Sequence, residues 1–310
     1  MGKQKLVIIG AGGMVGAAAA YACAVRSVVE EIVLIDRDAD LAWGQAADIN
    51  DAMGIDRDVE VRPGTYRDIA TNDIVVITAG APQQPGQTRL ELVETNAAIM
   101  RQIIRQVMQY HAQPYLVIVS NPVDVMTYVA LRASGLPKQR VLGTGTMLDT
   151  ARLKSHIADQ LQVCSRDIDA YILGEHGDSS FSTIETAQIG DIPLTKYPGF
   201  QPAMTADIEQ LIRQRAYRVI ETKHATYFAI GFVVSKLVSA LLRSAKAVYP
   251  VCSLVEGEYG LHDVVVSLPS TVSRDGVHIL TGYPLTTRQQ AALERSAQVI
   301  GQAIYGLDQS

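Results

Sequence analysis

The chain has 310 residues, three cysteines and a formal net charge of -5, with 48% apolar and 19% charged residues. A chain of this length exceeds what one hydrophobic core usually spans, so two units sharing a cleft are expected. The charge excludes both the basic face of a nucleic-acid binder and the polybasic anchor of a membrane-surface protein, which leaves a small molecule as the expected ligand.

Met1 to Lys5 run straight into the apolar residues 6–9, leaving no room for the core of a leader, so a cytoplasmic setting is expected. β-branched runs at 6–9, 32–35, 59–61, 74–78, 115–120 and 140–142 alternate with longer stretches, of which 15–25 and 95–110 carry apolar residues at helical spacing. Strands that alternate with helices predict an α/β fold whose sheet is doubly wound, parallel and six-stranded. The runs are apolar throughout, so both faces of the sheet should be covered. This unit is expected to span residues 1–145.

Residues 146–310 follow a different pattern and predict a mixed α+β unit. It reads as a long helix, turn-rich strand segments over 171–194, helical runs over 206–248, antiparallel strands at 264–268 and 277–279, and a last helix at 287–305. The apolar stretch 225–242 contains Lys236 and several hydroxyls, so a buried helix is expected and no membrane span. Cys23, Cys164 and Cys252 lie far apart and lack the spacing of a zinc site or disulfide framework. They are expected to be packing residues, with no metal site.

Gly10-Ala11-Gly12-Gly13-Met14-Val15-Gly16 joins the first strand to the first helix. Where no Cβ intervenes, a phosphate can approach the backbone, and the helix start offers unpaired N–H groups and partial positive charge. Asp36 ends the second strand about twenty residues later, where a carboxylate can accept the ribose hydroxyls of an adenosine. That combination predicts a dinucleotide-binding Rossmann unit that prefers NAD, since a 2′-phosphate would meet like charge. The glycine spacing is one residue longer than usual, leaving the separate roles of Gly12 and Gly13 open.

Leu173-Gly174-Glu175-His176-Gly177-Asp178-Ser179 follows Leu148-Asp149-Thr150-Ala151-Arg152, and upstream stand Val119-Ser120-Asn121-Pro122-Val123-Asp124 and Gly86-Gln87-Thr88-Arg89-Leu90. In order and spacing these motifs resemble those of the lactate and malate dehydrogenase family, and the likeness covers essentially the whole chain. Reduction of a 2-oxo acid leaves negative charge on the carbonyl oxygen and needs a donor that titrates near neutrality, which suits histidine. The resemblance implies His176 as proton donor and acceptor, Asp149 as the carboxylate that holds its ring, and Arg152 as the fork on the substrate carboxylate. It also implies Arg89, brought in by a loop that closes over substrate, and Asn121 as donors to the reacting oxygen. Thr78, Ala79, Gly80 and Asn121 would join the glycine loop in holding NAD.

Aligned with the family, Gln83 and Thr226 face the substrate side chain. Members acting on malate carry arginine where Gln83 stands, so pyruvate is expected over oxaloacetate, with malate and hydroxyisocaproate dehydrogenases as alternatives. A catalytically silent NAD-binding protein is the alternative outside enzymes. Lys154 and Asp169 occupy the positions that hold fructose 1,6-bisphosphate in some bacterial members. A carboxylate there repels the ligand, so activation is not expected. His224 replaces an expected glycine. A homodimer or homotetramer is implied by the family and by the apolar helices at 15–25 and 206–248.

Overall fold

The computed structural model describes residues 5–55, 58–81, 89–110, 112–205, 207–223 and 225–308, with Arg89, Leu90 and Asp308 described in their backbone alone. The first half runs β1 (Lys5–Ile9), α1 (Met14–Val25), β2 (Glu31–Ile35), α2 (Ala39–Met53), β3 (Glu60–Pro63), β4 (Ile74–Ile77), α3 (Arg89–Met108), β5 (Tyr115–Ile118), α4 (Val123–Ser134) and β6 (Val141–Gly143). The six expected strands are all present and pair in parallel in the order β3-β2-β1-β4-β5-β6. Strand order reverses between β1 and β4, so a crevice opens beyond their C-terminal ends. α2 and α4 are additions to the helices read from sequence. α2 starts where the Asp38 carboxylate accepts the Leu41 N–H at 3.0 Å, a cap that contributes about 1 kcal/mol.

The second half continues with α5 (Met147–Leu161), β7 (Ile168–Asp169), β8 (Ile172–Leu173), β9 (Phe181–Ser182), β10 (Gln188–Ile189), β11 (Ile192–Pro193), α6 (Ile208–Lys223), α7 (Phe228–Leu241), β12 (Ala247–Glu256), β13 (His262–Ser273), β14 (Gly276–Ile279) and α8 (Thr287–Asp308). The expected helical run 206–248 contains two helices, α6 and α7, whose axes differ by 117°, and its last residues already belong to β12. β12, β13 and β14 are antiparallel and extend the main sheet to nine strands, joined through the pairing of Cys252 with Gly143 on β6. The antiparallel strands of the second half are thus part of the same sheet as the parallel six.

Pro250 lies inside β12, where a proline normally argues against a strand. It sits opposite Pro269 of β13. The Pro250 carbonyl accepts from Thr146 at 3.2 Å and the Pro269 carbonyl from Leu280 at 2.9 Å. Along a strand a residue's N and C=O point the same way, so both prolines direct their missing N–H away from each other. The ladder between β12 and β13 therefore loses no bond to them.

Alternation sends Val7, Ile9, Val75, Ile77, Leu116 and Ile118 to one face of the sheet, packed by α3, α4 and α8. Leu6, Ile8, Ile32, Leu34, Val76 and Val117 go to the other, packed by α1, α2 and α7. α1 and α7 approach closely because Gly231 has no side chain; a Cβ there would come 2.7 Å from the Ala18 backbone. A third cluster, including Leu153, Ile157, Ile172, Ile189 and Ile208, fixes α5 against the short strands and α6. Cys23 and Cys252 are buried as expected, but Cys164 is exposed, since it caps a short turn after α5 instead of joining a core. Among the described residues no single helix is long and apolar enough to cross a membrane, and no group of three His, Cys, Asp or Glu side chains is arranged to hold a metal.

Candidate active site

The crevice begins at the turn after β1. Gly10 has φ +87°, and a Cβ there would come 2.5 Å from the Ala79 nitrogen, so only glycine lets the chain leave β1 this close to the end of β4. At Gly16 a Cβ would come 2.5 Å from the Gly10 carbonyl, and at Gly12 2.8 Å from Leu41 and 3.0 Å from Asp36. Gly13 is different: it caps α1 with φ -72°, and a Cβ would have no contact nearer than 3.5 Å. The longer spacing thus resolves into Gly10, Gly12 and Gly16 as close-approach positions, with Gly13 as the inserted residue.

Asp36 turns its carboxylate back onto this loop, its Oδ2 accepting the Gly12 N–H at 2.8 Å and its Oδ1 the Asp38 N–H at 3.1 Å. The Thr78 hydroxyl donates to the carbonyls of Ile9 and Gly10 at 3.1 and 3.0 Å, tying the end of β4 to the same turn. Met14 and Val15 open α1, where first-turn N–H groups have no helical acceptor. A cradle that a Cβ would fill, a helix start and a carboxylate at the end of β2 together fit an NAD molecule.

Asn121 lies just past β5, exposed, at the same edge of the sheet. Its position and that of the Ala79–Ala81 segment are fixed by a residue that sequence reasoning missed. Asn96 of α3 is 4% exposed; its Oδ1 accepts the Ala81 N–H at 2.7 Å and its Nδ2 donates to the Asn121 carbonyl at 2.9 Å. The signal was available: Asn96 falls on the buried stripe of Val93, Ala97, Met100 and Ile104, where a polar residue requires partners.

Across the crevice, α5 carries Asp149 and Arg152 one turn apart. The Thr146 and Thr150 hydroxyls both donate to the Ile172 carbonyl, at 2.5 and 3.3 Å, locking α5 to β8. β8 leads into Gly174, whose N–H and C=O each bond Ser267 of β13 at 3.0 Å. Gly174 has φ +90°, and a Cβ there would come 2.4 Å from the Ser296 hydroxyl oxygen. This anchored turn delivers His176 to α5. His176 Nδ1 lies 2.6 Å from Asp149 Oδ2, and the Arg152 guanidinium donates to Asp149 Oδ1 at 2.9 Å. One carboxylate therefore holds an imidazole and a guanidinium side by side.

Burial works against charge on the His176 ring, but Asp149, through its charge and hydrogen bond, and Asp124 outweigh it, so its pKa is raised above the usual value. Burial pushes the Asp149 carboxyl up, and His176 and Arg152 more than reverse this, leaving it below the usual carboxylate range. Because Asp149 stays ionised, Nδ1 of His176 is the protonated nitrogen facing it. The ring's other nitrogen makes no hydrogen bond among the described residues.

The lactate/malate dehydrogenase NAD-binding domain matches residues 4–143, and the lactate/malate dehydrogenase α/β C-terminal domain matches residues 146–306. The chain belongs to the lactate/malate dehydrogenase family. An L-lactate dehydrogenase of Acetivibrio thermocellus is 37% identical over 310 residues, covering 98% of each chain. One from a Synechococcus strain is 41% identical over 302 residues, covering 97% of this chain and 98% of the relative. The crystal structure of the minor L-lactate dehydrogenase of Enterococcus mundtii in its ligands-bound form superposes with a TM-score of 0.94 at 38% identity, over 97% of this chain and 98% of that one. This family member is accordingly an NAD-dependent 2-hydroxy acid oxidoreductase.

Of the remaining expected residues, Arg89 is the first residue of α3, while Gln83 and His224 lie outside the described residues. Thr226 is half-buried at the bend between α6 and α7, both of which pack on α5. Lys154 points over the Tyr171 ring at 5.3 Å. Burial lowers its pKa, with Asp169 opposing that shift.

Proposed function

We propose that this chain is an NAD-dependent L-lactate dehydrogenase in which His176 exchanges the proton and Arg152 holds the substrate carboxylate. The observation that carries this reading is the Asp149 carboxylate placed between the His176 ring at 2.6 Å and the Arg152 guanidinium at 2.9 Å. When bound, NAD supplies the hydride in one direction and accepts it in the other; the turn of Gly10, Gly12, Gly13, Met14, Val15 and Gly16 would hold it, with Asp36, Thr78, Ala79, Gly80 and Asn121. A 2-oxo acid offers a carboxylate and, beside it, an oxygen that gathers charge. Asp149 engages one donor of Arg152 and leaves the planar fork its other donors for the carboxylate. Its hold on Nδ1 keeps the outer nitrogen of His176 protonated for the carbonyl oxygen in reduction, and as base in oxidation. Asn121 and Arg89 would donate to that same oxygen.

Gln83 and Thr226 would line the side-chain pocket. Beside a neutral Gln83 the second carboxylate of oxaloacetate would be buried unpaired, at a cost of about 3–5 kcal/mol, which is on the order of 10²–10³ in preference. The test is kcat/KM for pyruvate, oxaloacetate and a branched 2-oxo acid with NADH and with NADPH. Pyruvate with NADH should lead; a preference for oxaloacetate rejects the role of Gln83, and no turnover of any acid rejects the enzyme.

The reading extends to assembly and regulation. The division at residue 145 is supported by the two family matches, which meet there. A homo-oligomer is supported by large exposed apolar side chains on α1, α2 and α7: Tyr21, Trp43, Phe228 and Phe232. Asp169, beside Lys154, would repel a bisphosphate, so steady-state rates with and without fructose 1,6-bisphosphate should agree within about twofold.

A further inference from the structure

The His176 ring has Asp149 as its partner, and the His176 backbone has a partner of its own. Its N–H donates to Oδ2 of Asp124 at 2.8 Å. Asp124 lies in the first turn of α4 and is 2% exposed; its Oδ1 has no partner of ordinary hydrogen-bond geometry among the described residues, and the Cys252 thiol is the weak donor beside the carboxylate. The site is tight: at Gly143, where β6 meets β12, a Cβ would come 2.4 Å from both Cys252 Sγ and Thr127 Oγ1. Thr127 cannot serve Oδ1, because its hydroxyl donates to the Val123 carbonyl at 2.7 Å.

A single backbone N–H needs only a neutral acceptor. A buried carboxylate held by one backbone N–H and a weak thiol donor costs far more than an amide or hydroxyl would. Such a charge is understandable where it serves a cation, and the cation at hand is the imidazolium. We propose that Asp124 is a positioning residue that fixes the His176 backbone and, by its charge, holds the His176 ring in the protonated state that reduction consumes. This rests on His176 being the proton donor of the reading above.

The groups facing this arrangement are Asp149 and Arg152 on α5, Glu175 beside His176, and Cys252 on β12. Asp149 and Asp124 favour the ring cation and Arg152 opposes it. Burial pushes the Asp124 carboxyl up to about 6, against the lowering effect of the His176 N–H and ring and of a hydrogen bond from the Cys252 thiol, and Glu175 adds to the rise. Asp124 is therefore charged through the neutral range in which His176 gives up its proton.

Asp124→Asn keeps the volume and an oxygen for the His176 N–H but removes the charge. Its upper pH limb for pyruvate reduction should move down by roughly half to one pH unit, with the rate at about pH 5.5 within about twofold of the unmodified enzyme. Asp124→Ala also removes the acceptor and should lose roughly ten- to a hundredfold at every pH, since a displaced donor is costly. An Asn variant whose limb stays in place overturns the proposal, as does an Ala variant that matches it. An Asn variant that does not fold also counts against it, because losing a buried charge while keeping the acceptor should leave the fold intact. NMR titration of the His176 ring in the full chain reads the same shift without turnover. A shifted ring in a protein that turns over no pyruvate keeps the proposal and rejects the functional reading; normal turnover with an unshifted ring does the reverse.

Discussion

Around Gly10 the crevice is made of backbone, with glycine wherever a Cβ would meet the neighbouring strand, whereas around His176 it is made of side chains gathered from α4, α5 and the turn after β8. The first region works through the absence of atoms and the direction of N–H groups. The second works through charges whose protonation states are set by one another. Damage to the first should therefore appear as lost stability and weaker cofactor binding, and damage to the second as lost chemistry in a protein that still binds.

The sharpest way to break this contrast is His176→Ala. It should lower kcat by about 10²–10⁴ while NADH affinity, measured by fluorescence titration, stays within about threefold; a large loss of NADH binding would mean the two regions are not separable. Gln83→Arg comes next and should move the pyruvate-to-oxaloacetate ratio of kcat/KM by roughly 10²–10³, with thermal stability unchanged. In the backbone region, Gly10→Ala forces φ +87° on an L-residue and drives a Cβ into Ala79. Strain and overpacking together should cost about 2–4 kcal/mol in denaturant unfolding. Gly13→Ala is the control, with only an ordinary 3.5 Å contact to the Gly10 carbonyl at its Cβ, and should cost under about 1 kcal/mol. Equal losses at the two glycines would refute the assignment of Gly13 as the inserted residue.

The smallest effect is one of degree with pH. The His176 pKa is raised, so pyruvate reduction should hold through the ordinary histidine range and fall about tenfold per unit only above it, while lactate oxidation should fall as pH drops below the same raised value. Stopped-flow rates over a pH series would show both limbs, and coincidence of the reduction limb with that of free histidine would contradict the influence of Asp149.

Much of this was legible in the sequence because it depends on residue type at fixed spacing. The parallel strands and the glycine turn with Asp36 are of that kind, whereas the approach of His176 to Asp149 and Arg152 was implied by the resemblance of their motifs to those of the family. Other features depend on what packs against what. Pro250 hides β12 from a reading along the chain, and only its place opposite Pro269 explains why the strand survives. Asn96 looks like one more polar helix residue until Ala81 and Asn121 are seen to converge on it. Asp124 reads as an acid at a helix start, which is a favourable place for one; nothing in its neighbours announces that its partner lies on a distant turn.

The union of the parallel strands with β12, β13 and β14 in one ladder bears on how a ligand gets in. A two-part molecule with a central cleft invites the picture of a clamshell swinging about a linker. Here that swing would have to part β6 from β12 and uncover Cys252, Val251 and their apolar neighbours, which are fully buried. The seam is structural cement, so entry and release fall to segments suspended from the strand ends, and turnover need not disturb the frame that keeps His176 in register with the nucleotide turn.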